Sequence, residues 1–282
     1  MRIDLHTHSS VSDGTEPPAD VVRRARTAGV GVLGLTDHDT VAGHEEAVRA
    51  LGPGMTLVRG MELSCRLRDH SLHLLAYLFD PDDPELAAER ERIRDDRAHR
   101  ARGMVERLAE LGAPVTWDLV RRITGDSVPG RPHIARAMVE AGVVDTVEEA
   151  FTPAWIGAGG RAYVDRYALE PGRAVRLVRA AGGVPVLAHP RAARRGYAVD
   201  DEEIAALAGA GLAGIEADHP DHAAGDRAAL RGLAEELGMF VTGASDDHGE
   251  LTGHRLGAES TSPEAFEALR SQATGALPDV GR

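Results

Sequence analysis

Histidine and acidic residues recur in short runs next to apolar segments of this chain. The first run, "DLHTHSSVSDG" at residues 4–14, carries His6 and His8 two positions apart. On an extended strand, residues two apart project from the same face, so one strand could present both imidazoles to one metal ion. Taken alone, such a pair is weak evidence, because a surface or structural role is equally compatible with it.

Further candidate ligands follow along the chain. "SDDH" repeats the two-residue spacing with Asp246 and His248, and "LTDHD" places His38 between two aspartates. The full set of candidate ligands is His6, His8, Asp13, His38, Glu62, His73, His189, Asp246 and His248. Imidazoles and carboxylates without a thiolate suit Mn²⁺, Fe²⁺ or Zn²⁺. So many ligands favour two or three divalent ions, Mn²⁺ before Fe²⁺ or Zn²⁺, with a bridging carboxylate and open positions for water and substrate.

The elements that must position these side chains are short apolar runs typical of strands. They cover residues 2–8, 30–39, 55–63, 71–79, 183–190, 212–219 and 239–248. Stretches with helical spacing, such as "PADVVRRARTAG", lie between several of them. Alternating strands and helices predict a mostly parallel α/β sheet, and closed α/β barrels carry their active sites at the C-terminal strand ends. Seven runs are one fewer than the usual eight, so we expect a relative of that barrel.

Residues 82–160 interrupt this alternation. "DDPELAAERERIRDDRAHRARGMVERLAELG" predicts a long charged helix, and further helical segments follow it. We therefore expect a discontinuous barrel domain, residues 1–81 and 161–282, with a helical insertion at 82–160 that caps the barrel mouth. The tail after Gly275 is predicted to be frayed.

Composition restricts the classes of function. The formal charge of −13 argues against stable DNA binding, which uses a broad basic surface, but a small phosphorylated partner remains compatible with it. The single cysteine, Cys65, excludes an internal disulfide and a thiolate zinc site. No segment has the pattern of a membrane span or a signal peptide, so we expect a cytoplasmic protein without membrane partners.

The ordered succession of motifs resembles the PHP family, named for polymerase and histidinol phosphatase. The motifs are "DLHTHSSVSDG", "LGLTDHDTVAG", "GMELSC", "LHLLAY", "GRPHIARAMVEAG", "VLAHP" and "GASDDHG". Within the family, the chain is most similar to the branch of stand-alone phosphoesterases that includes 3′,5′-nucleoside bisphosphate phosphatases and 5′-3′ exoribonucleases. This resemblance implies a distorted (β/α)₇ TIM-like barrel with a trinuclear metal site.

Position by position, the resemblance also implies how the ligands divide. One ion would be held by His6, His8, Glu62 and Asp246. Glu62 would bridge to a second ion held with His73 and His189, and a third ion would take Asp13, His38 and His248. The family pattern, a histidine inside an apolar strand, selects His73 rather than His70. Asp247 stands where relatives often carry an aromatic residue, and we expect its side chain to point away from the neighbouring ligands.

Arginines are the candidates for substrate binding, because the planar guanidinium fork suits phosphate. Arg97 and Arg100 lie three apart on the predicted long helix, and Arg131 and His133 precede a predicted helix start. A solvated helix face is the alternative for each arginine. The resemblance favours phosphate recognition by Arg97, Arg100, Arg131 and His133 as a set.

Other residues near the predicted strand ends are weaker candidates. Arg191, Arg194 and Arg195 follow "LAHP". Glu216 and His219 in "IEADHP" could contact substrate or could equally be surface residues.

The resulting hypothesis is a phosphoric ester hydrolase that acts through metal-activated hydroxide. It would remove the 3′-phosphate from nucleoside 3′,5′-bisphosphates while the arginine set binds the 5′-phosphate. The alternatives are a 5′-3′ exoribonuclease acting on short 5′-phosphorylated RNA, a phosphatase for histidinol phosphate or another small monoester, and a regulatory metal-binding domain without activity.

Overall fold

The chain forms two compact units in a computed structural model that describes residues 1–68, 70–125, 127–165, 167–192 and 198–281. The sheet unit comprises Met1–Arg90 with Ala168–Arg282, and the helical unit comprises Glu91–Tyr167. Arg194 and Arg195, which the sequence offered as weak phosphate ligands, lie outside the described residues.

The sheet unit is an α/β structure with a mostly parallel sheet. Its strands among the described residues are β1 (Arg2–Thr7), β2 (Val30–Leu35), β3 (Thr56–Leu67), β4 (His70–Tyr77), β5 (Val184–Leu187), β6 (Gly214–Asp218), β7 (Phe240–Gly243) and β8 (Asp279–Val280). β1 to β7 follow each other in chain order across the sheet. Along this path neighbours are parallel except that β4 is antiparallel to both β3 and β5, and β8, off the path, is antiparallel to β3. The predicted α/β class and the predicted strand runs are thereby confirmed.

The connection from β3 to β4 explains the antiparallel strand. Parallel neighbours need a long crossover, whereas antiparallel neighbours can be joined by a tight turn. Only two residues separate Leu67 from His70, so β4 folds back along β3 as a hairpin. The start of β4 therefore lies beside the end of β3.

Several helices begin or end where the sequence supplies caps. They are α1 (Pro18–Thr27), α2 (His44–Ala50), α3 (Pro84–Glu110), α4 (Trp117–Thr124), α5 (Arg131–Glu140), α6 (Val147–Ala150), α7 (Pro171–Ala180), α8 (Asp201–Gly209), α9 (Ala224–Glu236) and α10 (Pro263–Gln272). Pro18 opens α1, where its missing N–H is harmless, and Gly29 follows its end with a φ of +75°. Asp200 and Glu203 form a capping box at the start of α8.

Apolar residues of the strands form the core of the sheet unit. Leu5, Leu33, Leu57 and Leu75 are fully buried. Burial of a side chain of this kind stabilises a fold by about 1.5–3 kcal/mol. The helical unit has its own apolar cluster, which includes Met104, Leu108, Val120, Ile134 and Met138. No strand occurs among the described residues of that unit.

The end of the chain is ordered by pairing with β3. Thr56 pairs with Val280 in β8, and the Arg59 Nε donates a hydrogen bond of 2.7 Å to Asp279 Oδ2. The expectation that the tail after Gly275 is frayed is therefore wrong for these residues. A two-residue strand leaves too short a pattern to be recognised in the sequence. None of the described helices is long and apolar enough to cross a membrane.

Candidate metal centre

β1 presents two buried imidazoles side by side, as the His-x-His spacing predicts. His6 lies in the strand and His8 directly follows it, and both are at most 1% exposed. Their Nε2 atoms are 3.1 Å apart. Two ring nitrogens that meet at this distance away from solvent are arranged to share a bound group.

Glu62 is the carboxylate around which further imidazoles gather. Its Oε2 lies 3.3 Å from His6 Nε2 and 3.1 Å from His8 Nε2. Its Oε1 lies 2.6 Å from His73 Nδ1 and 2.9 Å from His189 Nε2. The sequence had indicated that Glu62 lies at the end of its strand. Instead, β3 continues to Leu67. That continuation forms the hairpin that brings His73 of β4 to the same place.

The second carboxylate of the centre belongs to Asp246, which follows β7. Its Oδ1 lies 3.4 Å from His6 Nε2 and 3.3 Å from His8 Nε2. The ring of His248, two residues further, stacks on His8 with 4.0 Å between centroids. The spacing of Asp246 and His248 thus delivers both side chains to the β1 histidines.

Asp13 lies in the turn after β1 and faces two more imidazoles. Its Oδ1 is 3.4 Å from His248 Nε2, and its Oδ2 is 3.7 Å from His38 Nε2. Asp37, next to His38, accepts hydrogen bonds from Ser9 N (2.8 Å) and Ser12 Oγ (2.6 Å). The residue before His38 therefore holds the turn that carries Asp13.

The nine predicted ligands all fall into overlapping groups that could hold metal ions. Among the described residues, these groups are His6, His8, Glu62 and Asp246; His8, Asp13, His38 and His248; His38, Glu62 and His73; and His6, His189 and Glu216. Within each group the candidate ligand atoms lie within 4.8 Å of one another. The first group equals the set that the resemblance implies for one ion. His38 approaches both Asp13 and Glu62, so it belongs to two of these groups.

Charge in this cluster is balanced by mutual attraction. Burial alone would raise the pKa of Glu62, but the imidazoles of His38, His73 and His6 hold it well below its usual value. Burial alone would lower the pKa of His8, but the carboxylates of Asp246 and Glu62 raise it to about 10. The carboxylates thus stay ionised and hold positive charge next to them, which is the environment that a divalent cation requires.

Two buried atoms indicate that the donor set fits metal ions. His38 Nδ1 and Glu62 Oε2 lie 3.1 Å apart, and neither has a hydrogen-bond partner within the described part of the chain. Leaving a buried polar atom unsatisfied costs about 1–3 kcal/mol. Divalent cations could accept lone pairs from such atoms, and Mn²⁺, Fe²⁺ and Zn²⁺ all take nitrogen and oxygen donors.

The backbone at this edge of the sheet is strained in places. His189 has a φ of +28° and Asp246 a φ of +50°, a region that residues with a Cβ rarely adopt. Asp39, at +55°, is held there by Ser64, whose N and Oγ donate to its carboxylate at 2.7 and 2.8 Å. Such backbone angles gather at functional sites, where the surrounding structure compensates for the strain.

Glu216 and His219 are fully buried, so the surface role left open for them is wrong. Glu216 Oε1 lies 3.0 Å from His6 Nδ1, and His219 Nε2 lies 3.3 Å from Asp246 Oδ2. Both contact proposed ligands of other strands. The signal available in the sequence was their position at the end of an apolar run, which did not distinguish a buried role from an exposed one.

The remaining residues singled out in the sequence lie apart from the cluster's contacts. His70, which the family pattern did not select as a ligand, is exposed. Asp247 is buried and accepts hydrogen bonds from Gly249 N and Arg255 N, so its side chain orders the following loop instead of facing the ligands. The guanidinium of Arg191 pairs with Asp201.

The phosphate-binding candidates belong to the helical unit, where most of them meet around Gly130. α5 begins at Arg131 itself, so Arg131 and His133 lie in its first turn and do not precede it. His133 Nδ1 accepts the Gly130 N–H at 3.0 Å. A Cβ at Gly130 would lie 3.7 Å from Arg97 Nη1. Arg97 and the start of α5 thus form one group, whereas Arg100 donates from Nε to the Val164 carbonyl at 2.6 Å.

Comparison with known proteins places this chain in a family. Residues 4–111 match the family model described as PHP domain. A 3′,5′-nucleoside bisphosphate phosphatase of Chromobacterium violaceum is 32% identical over 255 residues, which cover 90% of this chain and 89% of that protein. A 5′-3′ exoribonuclease of Haemophilus influenzae is 34% identical over 190 residues, covering 67% and 69% of the two chains.

A solved structure from Bifidobacterium adolescentis, described as a metal-dependent phosphoesterase, has the same fold. It superposes with a TM-score of 0.90 at 33% identity and covers 96% of each chain. The match in sequence and in fold, together with the histidine and carboxylate cluster of this chain, identifies the chemistry. The chain belongs to the PHP family and is a metal-dependent phosphoesterase.

Proposed function

We propose that this enzyme removes the 3′-phosphate from nucleoside 3′,5′-bisphosphates. The observation that carries the proposal is the similarity to the Chromobacterium violaceum bisphosphate phosphatase, which extends over 90% of this chain. The exoribonuclease of Haemophilus influenzae matches about two thirds of the chain. A 5′-3′ exoribonuclease of Escherichia coli also covers 94% of this chain, but at 26% identity against 32% for the bisphosphate phosphatase, and the higher identity over a nearly full-length match favours the monoesterase activity.

The metal ions would be held by the nine clustered residues. In this proposal His6, His8, Glu62 and Asp246 hold one ion; Glu62, His73 and His189 a second; and Asp13, His38 and His248 a third. Manganese is the first choice, with iron or zinc as alternatives; nitrogen and oxygen donors suit all three ions. When bound, such ions supply Lewis acidity, which activates water at neutral pH and offsets negative charge on phosphoryl oxygens.

The residues of the chain prepare the site for this chemistry. Glu62 has an oxygen toward each of two imidazole pairs, so it is placed to bridge. It is fully buried, which strengthens its electrostatic interactions. Asp13 lies between His38 and His248, and these three residues form a third set of candidate ligands beside the first.

Phosphate recognition is assigned to Arg97, Arg100, Arg131 and His133. Arg97 and Arg131 supply the positive charge and forked donors that a phosphate takes. The first turn of α5 adds the partial positive charge of a helix N-terminus. In this proposal the set binds the 5′-phosphate, which is not hydrolysed.

We also propose that the sheet is a distorted (β/α)₇ barrel. Two backbone hydrogen bonds support it: Asp246 N donates to His6 O at 2.9 Å, and His8 N donates to Asp247 O at 2.9 Å. They join the end of β1 to the segment after β7, the first and last strands of the ordered path.

The test compares substrates with manganese-loaded protein. We expect adenosine 5′-monophosphate and phosphate from 3′-phosphoadenosine 5′-phosphate, resolved by chromatography. Adenosine 3′-monophosphate, which lacks the 5′-phosphate, is the matched control and should be hydrolysed more slowly at low concentration. Equal rates for the two compounds would contradict recognition of the 5′-phosphate.

A 5′-phosphorylated RNA oligomer, incubated in parallel, tests the alternative suggested by the exoribonuclease relative. Stepwise shortening of the oligomer with no phosphate released from the bisphosphate would replace the proposed activity with 5′-3′ exonuclease activity.

A further inference from the structure

We propose that the end of β6 positions metal ligands that other strands supply. Glu216 would orient His6 and His189, and His219 would orient Asp246. This inference rests on the proposed metal centre and adds to it two residues that hold ligands without binding an ion. It assigns a function to "IEADH", the strand end that provides none of the nine proposed ligands.

Glu216 holds two ligands with its two oxygens. Its Oε1 accepts from His6 Nδ1 at 3.0 Å, and its Oε2 accepts from the His189 N–H at 2.9 Å. A carboxylate only accepts, so the hydrogen bond requires a proton on His6 Nδ1. The lone pair needed for a metal is then left to Nε2, the nitrogen that faces Glu62 and Asp246.

The second hydrogen bond of Glu216 acts on a strained backbone. His189 has a φ of +28°, and its N–H is fixed by Glu216 while its ring nitrogen lies 2.9 Å from Glu62. Conformations of this kind persist only where surrounding groups hold them. Glu216 is 0% exposed, so water does not replace its contacts.

A hydrogen bond from a backbone N–H to its ring fixes the tautomer of His219. Its Nδ1 accepts the Asp221 N–H at 3.1 Å, so the ring proton must be on Nε2. That nitrogen lies 3.3 Å from Asp246 Oδ2 and donates to it. Asp246 is thereby turned so that its other oxygen, Oδ1, faces His6 and His8.

The competing interpretation is that Glu216 is itself a metal ligand, since it lies in a group with His6 and His189. Two contacts oppose it. Both oxygens of Glu216 already accept hydrogen bonds, and the nitrogen of His6 that faces Glu216 is Nδ1, not the Nε2 that faces the other carboxylates. The two interpretations predict different results on metal titration.

The first variant is Glu216→Gln in the full chain. An amide has one acceptor oxygen, so it cannot accept from His6 and His189 together. Loss of a hydrogen-bond partner behind a metal ligand typically weakens metal binding about 10- to 100-fold. We expect that loss for Mn²⁺ titrated into metal-free protein by calorimetry, with an unchanged number of bound ions and with activity restored by excess Mn²⁺.

The matched control is Glu203→Gln, in a glutamate that is also buried but caps α8. A glutamine can still accept the Asp200 N–H there, so wild-type manganese affinity is expected. Thermal unfolding of the metal-free proteins shows whether each variant is folded.

The second pair of variants tests the tautomer of His219. The side-chain amide of His219→Gln places an N–H close to the position of Nε2, so this variant should keep most of the manganese affinity. His219→Leu has a similar volume and no donor, and it should lose about 10- to 100-fold. A purely structural role would make the two variants equal in manganese affinity at equal thermal stability.

The outcomes separate this inference from the proposed function. If wild-type protein binds no Mn²⁺, the proposed metal centre is wrong. If wild type binds Mn²⁺ and Glu216→Gln binds it equally well, the positioning role is overturned. If Glu216→Gln loses one ion outright while the others bind with wild-type affinity, Glu216 is a ligand and the positioning role is again overturned.

Discussion

The two groups of charged residues in this enzyme are built in different ways. In the metal centre, carboxylates and imidazoles from several strands contact one another, and Glu62, His6 and Asp246 are at most 2% exposed. In the helical unit, Arg97 and Arg131 are half-buried on two helices. Arg131 packs over the ring of Phe151, with 5.4 Å to its centroid.

This difference indicates in which of the two groups a substitution should be tolerated. Removing one partner from a buried network leaves the others uncompensated, so the loss is large. A guanidinium with partial solvent access can be lost with a smaller effect, because water and neighbouring donors replace part of it. The metal centre should therefore respond sharply to substitution, and Arg97 and Arg131 gradually.

The largest effect is expected at Glu62. Glu62→Gln removes the negative charge that faces five histidines and should lower kcat/KM by more than about 100-fold, the upper end for partners that lie behind a ligand. The measurement is phosphate release at saturating Mn²⁺. Glu45→Gln, an exposed residue of α2, is the control. If the activity of Glu62→Gln stays within tenfold of wild type, the metal centre is no more sensitive to substitution than the arginines, and the expected contrast is wrong.

Asp13→Ala tests whether the third ligand set is independent of the first. His38 and His248 would lose the carboxylate between them, so fewer ions per chain should be bound and activity should fall by up to about 100-fold. Elemental analysis after dialysis gives the ion count. Wild-type activity in this variant would contradict the ligation assigned to Asp13.

Lower pH should weaken metal binding. In the metal-free protein the carboxylates of Asp246 and Glu62 raise the pKa of His8 to about 10, so at neutral pH a proton must leave before His8 ligates. Each proton displaced makes the affinity fall about tenfold per pH unit as the pH is lowered. Calorimetry at pH 6, 7 and 8 checks this linkage, in buffers of different ionisation enthalpy. Binding that does not change with pH would mean that no such proton is displaced.

The smallest effect is expected for Arg97→Gln. A hydrogen bond to a charged group contributes about 1.5–3 kcal/mol, and partial exposure of Arg97 places the loss at the low end, about tenfold in KM for the bisphosphate. kcat should change little. Arg122→Gln, an exposed residue of the same unit paired with Glu140, is the control. A fall in kcat with an unchanged KM would show that Arg97 does not act by binding substrate.

Much of the metal centre could be predicted from the sequence, because spacing and strand ends carry the information. His6 and His8 share a face by the geometry of any strand, and the ends of neighbouring parallel strands meet at one edge of a sheet. The cluster therefore follows from local patterns once the strand order is known.

Other features depend on contacts that no local pattern records. The antiparallel direction of β4 has the same two-residue period as a parallel strand, so the residue pattern did not show that a hairpin brings His73 beside Glu62, and only the family resemblance placed the two residues together. The positive φ at His189 and Asp246 is imposed by neighbouring groups such as Glu216. Burial of Glu216 and His219 likewise results from tertiary packing, which is why their role stayed open at the level of sequence.

The central claim is that the clustered histidines and carboxylates hold catalytic metal ions. The most direct measurement is the transition-metal content of the full-length protein, purified without chelator and then reconstituted with Mn²⁺, determined together with phosphate release from 3′-phosphoadenosine 5′-phosphate. We predict roughly two to three ions per chain and activity that rises with their number, as multi-metal phosphoesterase chemistry requires. Fewer than about two ions per chain after reconstitution would contradict the account.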